Sequence, residues 1–224
     1  MCGRYVYTLP PDAMARLFKL ERVPDYAPRW NIAPSQLIPI VRVGADGVRE
    51  GALLRWGLHP VWMKEPPGAK SMINARCEGA AEKPFFRDAY KRRRAIVPAD
   101  GFYEWRREGK AKTPYFIRRR DGLPLAFAGL WERWRGADGG AVETAAILTA
   151  AGNADVAHLH DRMPVMLTPE DVDLWLDPNA PRAALDHLMR APDEGQLEAY
   201  PVSRAVSSPA NEGPQLIAAS HSLL

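Results

Sequence analysis

Ala95-Ile-Val97, Phe102-Tyr-Glu-Trp-Arg106, Pro114-Tyr-Phe-Ile117 and Leu125-Ala-Phe-Ala-Gly-Leu-Trp131 follow one another closely, and their reading decides the fold. Each run is short and rich in aromatic and aliphatic side chains, which suit a pleated, half-buried surface. Glu108-Gly109 and Asp121-Gly122 fall between runs, where glycine supplies the backbone freedom of a tight reversal. Antiparallel hairpins are the expectation. Working outward, the same pattern holds in Leu37–Val43 and Ala52–Trp56, separated by Gly44-Ala-Asp-Gly47, and again in Ala141–Thr149, with Pro164–Leu167 extended after it.

Helical signals are fewer. Residues 12–20 follow Pro10-Pro11 and bring Met14, Leu17 and Phe18 to one helical face. Thr168-Pro169-Glu170-Asp171 offers an N-cap threonine, proline at the first helical position and acids in the first turn. A second helix is expected from Pro181 to about Met189, then extended chain over Tyr200–Val206 and a polar loop before Gln215–Ile217. No repeat, linker or low-complexity stretch divides the chain. The fold class expected is α+β: one domain over 1–224, with a mainly antiparallel, barrel-like β-sheet and short peripheral helices.

Of the 224 residues, 46% are hydrophobic and 25% charged, which excludes a disordered or fibrous chain. No apolar run approaches the ~18 residues of a membrane span, and no basic-then-apolar leader is visible, so no membrane association and a cytoplasmic or nucleoid location are expected. Charge is segregated. Residues 87–120 hold twelve bases, Lys110 among them, against four acids, a local net of +8 in a chain whose total is +3. Such a segment suits a polyanion, or is simply a solvated hairpin face.

Only Cys2 and Cys77 are present, too few for a disulfide framework. Cys2 follows Met1 directly. Loss of Met1, the usual fate of a methionine before a small residue, would leave an N-terminal cysteine whose amine and thiol can both attack one aldehyde carbon, closing a five-membered thiazolidine. The alternative is an ordinary residue in a frayed terminus. Glu104, between Tyr103 and Trp105, either faces water on an alternating strand or sits in a partly apolar site suited to proton transfer. His160 lies in His158-Leu-His-Asp-Arg-Met-Pro164, where Asp161 could orient the ring and Arg162 hold a phosphate. Asn74, in Met72-Ile-Asn-Ala-Arg76, reads as an inward hydrogen-bonding residue of the site or of the core. Metal spacings such as C-x2-C or H-E-x-x-H are absent, as are phosphate-loop and dinucleotide signatures, so no metal and no cofactor are expected.

Met1-Cys-Gly-Arg-Tyr5, Trp30-Asn-Ile-Ala-Pro34, Arg55-Trp-Gly-Leu58 with Pro60 and Trp62, Ile73-Asn-Ala-Arg76, Val97-Pro-Ala-Asp-Gly-Phe-Tyr-Glu-Trp105, Thr149-Ala-Ala151, His160-Asp-Arg-Met-Pro164 and Pro201-Val-Ser203 together resemble the SOS-response-associated peptidase (SRAP) family, the abasic-site processing proteins. The resemblance implies a DNA-damage-response protein that binds single-stranded DNA and captures abasic sites covalently through Cys2, with lyase-like Schiff-base chemistry and autoproteolysis as associated activities. Asn74 would position Cys2, Glu104 would shuttle protons, and His160 would act as acid toward the opening sugar. Arg4, Arg76 and Arg162 match family positions near the DNA backbone, and Thr149 one at the site. Trp56 and Trp62 match an aromatic wall for unpaired bases. Abasic single-stranded DNA and replication-fork proteins are the partners implied, with the chain a monomer. Ser207 departs from a family asparagine and Cys77 from another small residue. Two other readings of the same residues are an N-terminal-nucleophile cysteine protease or hydrolase, and a non-covalent single-strand-binding module.

Overall fold

The computed structural model describes residues 2–109 and 111–220; Met1, on whose loss the N-terminal reading depends, and Lys110 of the basic segment lie outside the described residues. In chain order the elements are β1 (Tyr5–Tyr7), α1 (Pro11–Phe18), β2 (Arg29–Ile32), β3 (Leu37–Val43), β4 (Arg49–Trp56), β5 (Asn74–Arg76), α2 (Cys77–Ala80) and α3 (Arg87–Arg92). There follow β6 (Arg94–Ala99), β7 (Gly101–Glu108), β8 (Ala111–Arg119), β9 (Leu125–Arg135), β10 (Ala141–Ala151), β11 (Arg162–Pro164), α4 (Pro169–Leu176), α5 (Arg182–His187) and β12 (Leu197–Pro201).

Five of the strands close a ring. β10 pairs with β4, β4 with β3, β3 with β6, β6 with β9, and β9 returns to β10. Closure removes the unpaired edges that an open sheet must protect. All of these pairings are antiparallel except β10 with β4, which is parallel at Thr144↔Arg55 and Ala145↔Trp56. Further along, β10 leaves the ring and takes β5 in parallel on one side and β11 antiparallel on the other. That extension carries much of the site.

A second, antiparallel sheet runs β12-β8-β7-β1-β2. Its β7–β8 hairpin is covered on both faces: Phe102, Tyr115 and Ile117 join the main core with the barrel, whereas Tyr103 and Phe116 meet Val6, Val202, Val206 and Leu216 in a smaller cluster. Gly101 opens β7 at a point of close approach, because a Cβ there would stand 2.6 Å from the Ile117 carbonyl oxygen. Any larger residue would push the two strands apart.

α4 begins as its sequence dictates, with Thr168 and Asp171 bonding each other's backbone N–H in a capping box behind Pro169. It buries Val172, Trp175 and Leu176, and the Trp175 indole donates to the Ala95 carbonyl at 2.9 Å. Arg94 is not part of a basic surface. Its guanidinium is buried and donates to the carbonyls of Tyr90, Lys91, Trp175 and Asp177, closing the C-terminal ends of α3 and α4 at once. Arg93, Arg106, Arg118 and Arg119 are paired with Glu132, Glu108, Glu198 and Asp121. The basic segment therefore divides between core, ion pairs and surface. The extended reading of Tyr200–Val206 also fails beyond its first residues: β12 stops at Pro201, and Arg204–Ser207 form a 3-10 turn capped by the Ser203 hydroxyl.

Candidate functional site

β1 lies antiparallel to β7, with Tyr5 opposite Phe102 and Val6 opposite Gly101, and the Tyr103 N–H reaches the Arg4 carbonyl at 2.9 Å. Continuing that register carries the residues before Tyr5 along the stretch that holds Glu104. Cys2 is fully buried within the main core. Burial pushes its thiol well above the ordinary range, the negative charge of Glu104 pushes in the same direction, and the Arg4 backbone N–H offsets part of this.

β5 brings Asn74 to the same place from the other side. Its parallel pairing puts Asn74 opposite Ile147 and Arg76 opposite Thr149. The Asn74 amide donates to the Cys2 carbonyl at 2.8 Å, while its Oδ1 is buried without a hydrogen-bond partner among the described residues. Thr149, fully buried, donates its hydroxyl to the Ala75 carbonyl at 3.4 Å. Across β10–β11, Arg162 donates from Nη2 to the backbone carbonyl and hydroxyl of Thr149 and forms a two-toothed ion pair with Glu78, at 2.5 and 2.9 Å. This pairing holds the Glu78 carboxyl down to about 2. In this structure the planar fork of Arg162 is committed to protein groups, so its first role is to tie α2 to β10 and β11. Glu78 is a member of the site that sequence reasoning missed; the one available signal was an arginine in need of an acid.

His160 follows a tight turn whose N–H groups at Leu159 and His160 bond the Val156 carbonyl. Its Nδ1 accepts the Arg162 backbone N–H at 3.0 Å and lies 2.7 Å from Asp161 Oδ1. The two contacts use that nitrogen differently: without a proton it accepts from Arg162, and with one it donates to Asp161. Glu104, only 6% exposed, and His160 line one cleft of about 670 Å³ together with Trp105, Arg107, Lys112, His158, Leu159, Asp161 and Ser207. The reading of Glu104 as a solvated residue is overturned, since its side chain is buried in the wall of that cleft.

The remaining expected residues separate. Arg76 is exposed. Arg4 is half-buried, donates to Asn31 Oδ1 and the Val206 carbonyl at 2.8 Å each, and stacks over Trp105. Trp62 is 57% exposed, with its ring edge-on to Phe85. Trp56 is a correction. It is fully buried, packs edge-on to Tyr5 at 5.3 Å and donates its indole N–H to the Ile73 carbonyl at 3.0 Å, so it has no face to offer a base. It instead fixes the chain one residue ahead of Asn74. Among the described residues no three of His, Cys, Asp and Glu gather as a metal-ligand set. No helix of the described residues is long and apolar enough to cross a membrane.

Residues 1–209 match the family described as SOS response associated peptidase (SRAP), and the chain belongs to it. It is 41% identical to the abasic site processing protein YoqW of Bacillus subtilis, covering 97% of this chain and 99% of that one. It is 33% identical to the abasic site processing protein YedK of Escherichia coli over 97% of this chain and 99% of that one, and 30% identical to HMCES of Xenopus tropicalis over 98% and 78%. A crystal structure of a protein from Bacteroides thetaiotaomicron superposes with a TM-score of 0.88 at 26% identity, covering 98% of this chain and all of that one. The α+β class and barrel expected from the hairpin runs are those observed.

Proposed function

We propose that the protein processes abasic sites in single-stranded DNA, acting as one domain and capturing the ring-opened sugar through Cys2. The names of its relatives supply the substrate, and the observation that carries the chemistry is Cys2 itself: its carbonyl is held by Asn74 and its thiol feels the charge of Glu104, which lines one cleft with His160. With Met1 removed, the α-amine attacks the C1 aldehyde, and loss of water leaves an imine. The Cys2 sulfur then adds to the imine carbon as the thiol proton passes to nitrogen, closing a thiazolidine with nothing oxidised or reduced. In this reading Glu104 carries the thiol proton, and His160 delivers one to the departing ring oxygen.

A thiol pushed upward by burial and by a neighbouring carboxylate is the reverse of what a cysteine protease uses, where a cation or helix N-terminus lowers it. A neutral thiol suits a reaction in which the amine goes first. Trp62 provides a stacking face worth about 1–3 kcal/mol per base, and Arg76 an exposed cation for the backbone. The test is intact mass after mixing with an abasic oligonucleotide. A heat-stable adduct at the combined mass less one water is expected, and Cys2→Ala should give only a species that needs borohydride to survive. A stable adduct of Cys2→Ala at the wild-type level would overturn the proposal.

A further inference from the structure

The cleft extends beyond the groups the chemistry needs. On the β7–β8 hairpin, Arg107 stands directly opposite Lys112, and both are exposed cleft-lining residues. Like charges in a cross-strand pair repel. The neighbouring bases are managed differently: Arg106 pairs with Glu108 at 3.0 Å and lies over Tyr115, and Arg118 and Arg119 have Glu198 and Asp121. No acid is paired with Arg107 or Lys112 among the described residues. His158, its ring edge-on to Tyr115, lines the same cleft, and Ser207 adds a hydroxyl.

We propose that Arg107 and Lys112, with His158 close by, form a subsite for a phosphate of the DNA strand outside the abasic nucleotide. This rests on the single-stranded DNA reading above and adds residues to it. Arg107 is three residues along β7 from Glu104, about 10 Å at the rise of an extended strand. That is too far for the phosphates of the captured sugar and within reach of one belonging to a neighbouring nucleotide. The subsite therefore fixes the path by which one arm of the strand leaves the cleft, running over the β7–β8 hairpin. An anion between the two cations also removes their mutual repulsion, so the bound state relieves a strain that the folded hairpin carries alone.

The experiment measures affinity for intact oligothymidylate against salt concentration, which does not require covalent capture. Each phosphate contact on a single strand contributes about 0.7 to the slope of log affinity against log salt. The double variant Arg107→Gln/Lys112→Gln should lose about 0.7 of that slope and bind about 5–10-fold more weakly at 50 mM salt, the gap closing as salt rises. Arg119→Gln, which removes a cation already paired with Asp121, should change neither, and Lys112→Arg should keep the full slope. Shortening the oligothymidylate stepwise should abolish the difference between wild type and double variant once the strand no longer reaches the hairpin. A slope unchanged in the double variant, or lost equally in Arg119→Gln, would overturn the subsite. Failure of wild type to form the covalent adduct would instead count against capture by Cys2, and the salt slopes would still decide the subsite.

Discussion

The Asn74 amide donates to the Cys2 carbonyl at 2.8 Å, across 72 residues of sequence, and so anchors residue 2 from a strand of the other sheet. Because the bond ends on backbone, it holds the position of residue 2 whatever the state of its thiol or amine. Asn74→Ala leaves that carbonyl unpartnered, a loss of about 1–3 kcal/mol and therefore about a 5- to 150-fold slower single-turnover adduct formation. Asn74→Asp should be slower still, since a carboxylate oxygen would face the carbonyl. Affinity for intact single strands should stay within about twofold for both, as Asn74 touches no group that meets the backbone. A parallel fall in rate and affinity would mean that Asn74 supports the fold and not the nucleophile.

Glu104 and Cys2 are coupled by charge. The carboxylate adds to the burial that raises the thiol, so neutralising it in Glu104→Gln must lower the thiol from its wild-type position. The sign is testable without DNA. Alkylation of Cys2 by iodoacetamide, followed by peptide mass so that Cys77 is scored separately, should rise with pH from a lower onset in Glu104→Gln than in wild type. Adduct formation with abasic DNA should move the other way, about 10²-fold slower, because the proton carrier is gone. Slower alkylation in the variant would show that the carboxylate does not bear on the thiol.

The Arg162–Glu78 pair sets an acid limit. Glu78 is lowered from 4.5 to about 2, chiefly by its hydrogen bonds to Arg162. Between those values the unfolded chain binds a proton that the folded chain does not, so the contribution to stability is complete above about pH 4.5 and disappears as pH falls toward 2. The carboxylate is more than half exposed, so the magnitude is a fraction of the full linkage value. In urea titrations from pH 6 to 2.5, Glu78→Gln should begin less stable and lose less on acidification, the two curves converging at the acid end. Parallel curves would remove the pair from the account of stability.

The fold was more legible than the site. β3 occupies the residues its aliphatic run marked, and α4 starts where Thr168, Pro169 and Asp171 place it. Local chemistry dictated both. The parallel pairings of β10 with β4 and β5 left no mark, because Asn74–Arg76 is only three residues long and is held by β10 and not by its own propensity. Glu104 shows why alternation alone misleads: with Phe102 facing the barrel core and Tyr103 the smaller cluster, neither face of β7 is open, so period two carries no inside–outside information there. Trp56 shows the reverse error. A tryptophan at the end of a strand reads as readily for a binding face as for a core wedge, and only the packing against Tyr5 distinguishes them.

His59 ties down the segment that follows Trp62. The residue is 1% exposed, and its ring contacts two points of the segment beyond Trp62: Nε2 lies 2.8 Å from the Glu65 carbonyl and Nδ1 3.1 Å from the Ser71 hydroxyl. A carbonyl can only accept, so Nε2 bears the proton and Nδ1 accepts from Ser71, which in turn accepts the Gly68 N–H at 3.1 Å. The Trp134 indole, edge-on to His59, holds the Met63 carbonyl at 2.7 Å. Two buried N–H donors thus hold the carbonyls of Met63 and Glu65, on either side of Lys64, in an otherwise exposed strap. His59→Leu keeps the apolar volume but leaves the Glu65 carbonyl without its donor and the Ser71 hydroxyl proton without its acceptor, at about 1–3 kcal/mol each where burial is kept. The strap should relieve that cost by opening to water. Trypsin cleavage after Lys64 and Lys70 should accelerate at least tenfold, and affinity for intact single strands should fall about 5- to 30-fold as Trp62 loses its fixed orientation. Adduct formation at saturating DNA should change by less than threefold, because Cys2, Glu104 and His160 are held by other elements. His59→Gln, able to donate to Glu65 alone, should lie between. Equal proteolysis and equal affinity in all three proteins would show that the strap is held without His59.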